Sequence, residues 1–369
     1  MTNTNQTSIR SFNFFSARKA AAIATAALTS VLLAACGGGG DTALDATGKS
    51  ATASDSAAPE STAKAATSTS IFYGANGRNT NGGAYDATSV ATQLAQLKDI
   101  GATIYRNDVY NLASAKVVAK MAQTMAASGV TVYPVILLGT GFNSEQDAYN
   151  AAYTLGQQVA STYKYKYYEV GNELEAQALN GNVDGTSWTH YKNQPFVVAR
   201  GVIRGLIAGV KSRDNAAKIV VNGTWLHYAF FQMLMDGSQP DGTRGHPTVN
   251  WDITAWHWYS DQKDMTHACG GTGCYDMLGV LHSFGKPVWL SEFGVRPNYG
   301  SDQAIANYMV GNTMMAQFQS VASKYNLQSI QAFELYDDNE GNFGLMKSDG
   351  QTTKPAYWSY KNFVATHPM

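Results

Sequence analysis

The chain has 369 residues, with 26 Lys and Arg against 27 Asp and Glu, and this near-neutral balance argues against a nucleic-acid binder, which normally shows a basic stripe or patch. Charged residues make up only 14% and aromatic residues 11%, a surface chemistry suited to a neutral, hydroxyl-rich ligand. Three cysteines exclude a disulfide-stapled scaffold and a Cys-rich zinc module.

At the start of the chain, Arg10, Arg18 and Lys19 precede an Ala-rich apolar stretch from Ala20 to Ala35. A basic region ahead of an apolar segment shorter than the about 20 residues of a membrane span reads as an export signal over residues 1–35. The segment ends in Leu33-Ala34-Ala35-Cys36, followed by Gly37, and resembles the bacterial lipobox. That resemblance implies that Cys36 is lipidated, and the lack of Asp after it points to an exported chain anchored at the outer membrane or cell surface. Residues 36–69 are mostly Gly, Ala, Ser, Thr and Asp. They bury too little to offset their ordering entropy, which predicts a flexible tether.

From Ser70 the pattern changes. Strands are predicted at Ser70–Ala75, Thr103–Asn107, Thr131–Leu138, Lys166–Gly171, Lys218–Gly223, Asp252–Trp258, Pro287–Glu292 and Ser329–Leu335. Helical patterns lie between them: Val90, Leu94, Leu97 and Ile100 share one face, and further helices are predicted over Ala113–Ser128, Glu145–Thr162, Pro195–Arg213, Tyr275–Phe284, Asp302–Tyr325 and after Pro355. Eight strands alternating with helices over residues 70–369 predict one α/β domain, a (β/α)8 TIM barrel. A doubly wound open sheet would want G-x-G-x-x-G after its first strand. Gly74–Asn79 lacks that spacing, and Ser144 breaks the match that begins at Gly139. No HExxH, EF-hand, Walker or G-x-S-x-G pattern appears, and the histidines show no ligand spacing, so neither metal nor cofactor is expected. Cys269 and Cys274 flank Gly-Gly-Thr-Gly, a spacing that predicts a small disulfide in an exported protein.

Barrel chemistry sits at the carboxyl ends of the strands. There the fourth strand offers Asn172-Glu173 and the seventh Ser291-Glu292, two carboxylates three strands apart. Such a pair suits glycosidic hydrolysis, in which one carboxyl protonates the leaving oxygen and the other attacks the sugar or activates water. The stretches Tyr168-Glu169-Val170-Gly171-Asn172-Glu173 and Pro287-Val288-Trp289-Leu290-Ser291-Glu292-Phe293-Gly294 resemble the strand-four and strand-seven motifs of clan A glycoside hydrolases. The resemblance extends over residues 70–369. It implies Glu173 as acid/base, Glu292 as nucleophile, Arg106 as the cation that keeps Glu292 ionised, and Asn172 as partner of the sugar 2-hydroxyl. Tyr259 would donate to the nucleophile and His257 would line the subsite.

The tail Phe333-Glu334-Leu335-Tyr336-Asp337-Asp338, with Asn342–Leu345 and Lys354–Tyr357, looks most like the family 39 group, with Tyr336 in place of the usual Trp. Trp188, Trp225, Trp256, Trp258 and Tyr336 are candidate sugar platforms, of which two or three should serve. Glu175 and Glu334 lie near the motifs but carry no expected role in catalysis. The resulting expectation is a retaining β-glycosidase acting as a monomer without nucleic-acid partners, cutting within a cell-surface or extracellular polysaccharide and reaching the membrane only through Cys36. An exo-acting β-xylosidase-like enzyme and a non-catalytic carbohydrate-binding lipoprotein are the alternatives. Retention predicts carboxylates about 5–5.5 Å apart, against about 6.5–9.5 Å for inversion.

Overall fold

A computed structural model describes residues 70–369; the export signal, Cys36 and the tether lie outside the described residues. Eight parallel strands close into a barrel: β1 (Tyr73–Gly77), β2 (Ile104–Val109), β3 (Thr131–Ile136), β4 (Tyr167–Val170), β5 (Lys218–Thr224), β6 (Ile253–Tyr259), β9 (Val288–Gly294) and β10 (Leu327–Ala332). Each pairs with its sequence neighbours in the barrel, and β10 returns to β1 through Tyr73 opposite Ile330. Two short strands, β7 (Ala268–Gly270) and β8 (Gly273–Tyr275), form an antiparallel hairpin between β6 and β9. Cys269 and Cys274 face each other across it in a disulfide.

The helices start where short polar side chains cap them. Ser89 accepts from the Thr92 amide, Asn111 and Ser114 cap each other reciprocally, and Ser144 accepts from the Asp147 amide. Helix Glu145–Thr162 lies unusually close to helix Asn193–Lys211, because Gly201, Gly205 and Gly209 form a stripe on the latter. A Cβ at these three would come within 2.4, 2.3 and 2.2 Å of the carbonyl oxygens of Glu145, Tyr149 and Tyr153.

Three helical expectations are corrected. Asp302–Tyr325 is two helices, Asp302–Met309 and Met315–Tyr325, because Gly311 and Asn312 interrupt the apolar pattern. Tyr275 belongs to the hairpin, and the helix there spans Met277–His282 with Asp276 as its cap. A helix at Tyr228–Asp236 was not anticipated: it is nearly all apolar, so it shows no polar face, and its first residue follows a cap without a side-chain hydrogen bond.

Strand alternation builds the barrel interior in layers. Ile104, Tyr133, Tyr167, Val220, Ile253, Ala255 and Trp289 form a closed apolar layer. Two residues further along the same strands, Arg106, Glu169, His257 and Ser291 form a buried polar layer above it. On β9 the pairing slips by one, with Leu290 opposite Trp256 but Glu292 opposite His257. The extra residue is a bulge, which lets both Ser291 and Glu292 reach the interior groups.

Candidate active site

Arg106, on β2, is the hub of the polar layer and is 2% exposed. Its Nε donates to Glu169 Oε2 at 2.7 Å and its Nη2 to Glu169 Oε1 at 3.3 Å. Nη1 donates to Glu292 Oε1 at 2.6 Å and to Asn76 Oδ1 at 2.9 Å, and Nη2 also donates to Asn172 Oδ1 at 2.6 Å. The fork geometry of a guanidinium suits this sharing between two carboxylates. Tyr259, on β6, donates its hydroxyl to Glu292 Oε2 at 2.7 Å. Both oxygens of Glu292 are therefore occupied by donors, and the side chain is 8% exposed.

Glu173 sits on the turn after β4 with φ 45°, a left-handed conformation that costs a non-glycine residue about 1–3 kcal/mol. Asn222, on β5, holds the turn: its Oδ1 accepts from the Glu173 amide at 2.8 Å and its Nδ2 donates to Gly171 O at 2.8 Å. The Glu173 side chain remains 34% exposed, unlike Glu292. Between the two lies His257, fully buried on β6. Nδ1 meets Glu173 Oε1 at 2.9 Å and Glu292 Oε2 at 3.4 Å, while Nε2 faces Glu169 Oε1 at 3.8 Å. Burial alone would lower the His257 pKa, but Glu292, Glu169 and Glu173 raise it to about 10. His257 is an imidazolium at neutral pH: its Nδ1 donates to Glu173, while Nε2 faces Glu169 from beyond hydrogen-bond distance.

Burial opposes the charge on Glu173, yet the hydrogen bond and charge of His257 outweigh it and hold the pKa below the usual carboxylate range. Glu169 is also desolvated, and the Arg106 charge with the His257 contact brings it down to about 2. One ligand atom each from Glu173, His257 and Glu292 lies within 4.8 Å of the others. A cation there would have to displace the proton that His257 holds on Nδ1. The arrangement is two cations and three carboxylates with their charges interleaved.

Arg106, Asn172, Glu173, His257, Tyr259 and Glu292 thus converge in one place. Other candidates do not. Tyr336 is wholly buried, its ring against Tyr85 with centroids 4.9 Å apart and its hydroxyl donating to Gln96, so it offers no open face to a sugar. Trp256 and Trp258 are wholly buried as well. Trp225, at φ 53°, lies over Trp258 with centroids 5.7 Å apart and is the partly open ring of that stack. Trp188 is 48% exposed on the loop after β4, but its ring edge lies by Gly242. The aromatic that the end of β10 brings to Tyr259 is Phe333, edge-on at 6.1 Å. Glu175 is buried against the Thr224 amide and His227, and Glu334 accepts from Tyr85; burial raises the pKa of both.

Sequence reasoning missed Glu169, Asn76, Asn222 and Phe333. Glu169 had a signal: it shares the inward face of β4 with Tyr167, one strand period away. Asn222 had none, because its partners are two backbone groups about fifty residues away.

Residues 214–359 match a family model described as a glycosyl hydrolase catalytic core, a segment that includes Trp225, His257, Tyr259 and Glu292. No curated protein sequence matches the chain. Among solved structures, the chain is similar to a β-glucosidase from Thermotoga maritima in complex with noeuromycin. The two are 12% identical, with a TM-score of 0.60 over 81% of this chain and 98% of that one. It is likewise similar to a structure described as family 1 β-glucosidase from the same organism, at 12% identity and a TM-score of 0.56 over the same shares. At this identity the likeness shows the (β/α)8 fold.

Proposed function

We propose that the protein is a retaining glycoside hydrolase with Glu292 as nucleophile and Glu173 as acid/base. The observation that carries the reading is the carboxylate pair itself. The two groups end facing strands, oxygen atoms of both fall within 4.8 Å of each other, and one is clamped by donors while the other is open to solvent. That separation favours direct attack over a gap that must hold a water. The match of residues 214–359 to a glycosyl hydrolase core supports the same class.

In the first step a Glu292 oxygen bonds to the anomeric carbon while the glycosidic bond breaks and the departing oxygen takes the Glu173 proton. In the second, Glu173 takes a proton from water, whose oxygen bonds to the anomeric carbon and releases Glu292. Arg106 and Tyr259 orient Glu292 for attack, and Asn172, its Oδ1 held by Arg106, keeps its amide nitrogen for a sugar hydroxyl. Because His257 favours ionised Glu173, the acid form that starts the reaction is populated at low pH, which predicts an acidic optimum.

Cleavage within a cell-surface or extracellular polysaccharide is the finer reading. It rests on the lipobox-like Cys36 and the tether of residues 36–69, which would hold the domain of residues 70–369 beside such polymers. Trp225, the partly open ring stacked on Trp258, is the face offered to a bound sugar in this reading. The test is release of new reducing ends from β-glucans, mannans, xylans and extracellular polysaccharides by the full chain and by Glu292→Gln, with product stereochemistry followed by NMR. Release with retained configuration by the parent, and a loss of about a thousandfold or more in the variant, is expected. An inverted product rejects the nucleophile role. Release of single sugars only favours the exo-acting reading, and binding without release favours a carbohydrate-binding protein.

A further inference from the structure

We infer that Glu169 is a positioning residue that sets the charge of the site, by fixing Arg106 and by sharing Arg106 and His257 with Glu292 and Glu173. The inference rests on the glycoside hydrolase reading and deepens it. Glu169 is wholly buried on β4 and touches no atom that would react. It accepts from Arg106 Nε at 2.7 Å, Arg106 Nη2 at 3.3 Å and Ser291 Oγ at 3.1 Å, and it faces His257 Nε2 at 3.8 Å. The charged and titratable groups around it are Arg106 from β2, Tyr133 from β3, His257 from β6 and, through Arg106, Glu292 from β9. Tyr133 is engaged elsewhere, donating to Gln331 Oε1 at 2.8 Å.

Two consequences follow from this placement. The first is geometric: with Nε and one face of Nη2 bound to Glu169, the planar guanidinium has a single orientation, which directs Nη1 at Glu292. The second is electrostatic. The site that starts the reaction holds Glu169 and Glu292 ionised and Glu173 protonated against Arg106 and His257, and the charges balance. After attack Glu292 is an ester and Glu173 has given up its proton, so Glu169 and Glu173 again balance the two cations. Glu169 therefore keeps the buried layer neutral on both sides of the step. Without Glu169 both states carry one uncompensated cation, and both cations act undivided on Glu173 and Glu292.

The experiment compares the full-length parent with Glu169→Gln on whichever polysaccharide the parent hydrolyses, recording kcat, KM, the pH profile of kcat/KM and the melting temperature. A parent that hydrolyses nothing defeats the enzyme reading, and this inference with it; an active parent isolates the inference. The expected result is a fall in kcat of about a hundredfold with KM nearly unchanged, and a basic limb displaced to lower pH. A lower melting temperature with kcat and the limb unmoved overturns it, since that is what a merely structural ion pair would show. Should Glu169→Gln not fold, Glu169→Asp draws the charge back from Arg106 by one methylene. It is expected to lower kcat by about tenfold and to move the same limb the same way. An unmoved kcat and limb in Glu169→Asp overturns the inference equally.

Discussion

The two layers inside the barrel come from the same strands and the same inward face, two residues apart, yet they differ in what holds them. The lower layer, with Tyr133, Tyr167 and Trp289, is stabilised by removal of apolar surface from water, and its rings meet edge to face at 4.7–6.4 Å. The upper layer buries Arg106, Glu169 and His257, groups whose desolvation opposes folding and which persist only because each neutralises the others. Closing the barrel therefore depends on the first layer, and the chemistry on the second. A lesion in one should leave a different signature from a lesion in the other.

The sharpest separation should come from Glu173→Gln, a change at the open edge of the upper layer. It is expected to lower kcat on polysaccharide by about 10²–10⁴-fold with the melting temperature nearly unchanged. Enzyme assay and thermal unfolding on one preparation check it. Trp289→Ala should do the reverse. It removes a wholly buried side chain from the lower layer and is expected to cost about 3–5 kcal/mol of stability, measured by denaturant unfolding, while the pH profile of the remaining folded enzyme keeps its limbs.

His257→Asn tests the upper layer's charge sharing more gently. With the imidazolium gone, the burial that raises the Glu173 pKa is no longer outweighed, so the basic limb of kcat/KM should move to higher pH. The smallest effect is on stability against pH in the parent. The His257 pKa is raised to about 10 on folding, so its contribution is complete below about 6.5 and is lost as pH rises through 10. That of Glu169, lowered to about 2, is complete above about 4.5 and is lost as pH falls toward 2. Burial of Glu175 and Glu334 raises their pKa values, which costs stability as pH rises through the carboxylate range. Melting temperature should therefore peak on the acidic side of neutrality and fall in both directions; a peak above pH 8 would contradict the shared-charge account.

Much of this molecule was legible from its amino acids. Strand period, helix period and their alternation are local properties, and they were enough for the barrel and for its eight strands within a few residues. Counting strands then put Glu173 and Glu292 at the same rim with Arg106, and the structure brings the three together around His257. What the tertiary structure alone decided are properties of neighbours distant in sequence. Tyr336 is closed to ligand because Tyr85 and Gln96, 251 and 240 residues from it, cover its ring and bind its hydroxyl. Ser291 and Glu292 both point inward because a bulge against β6 shifts the register, which simple alternation forbids. Glu169 counts as part of the site only because Arg106, His257 and Ser291 converge on it from three other strands. Periodicity says which face a residue occupies. Which charge stands opposite it, and whether a ring stays open, is settled by through-space contacts that only closure of the barrel creates.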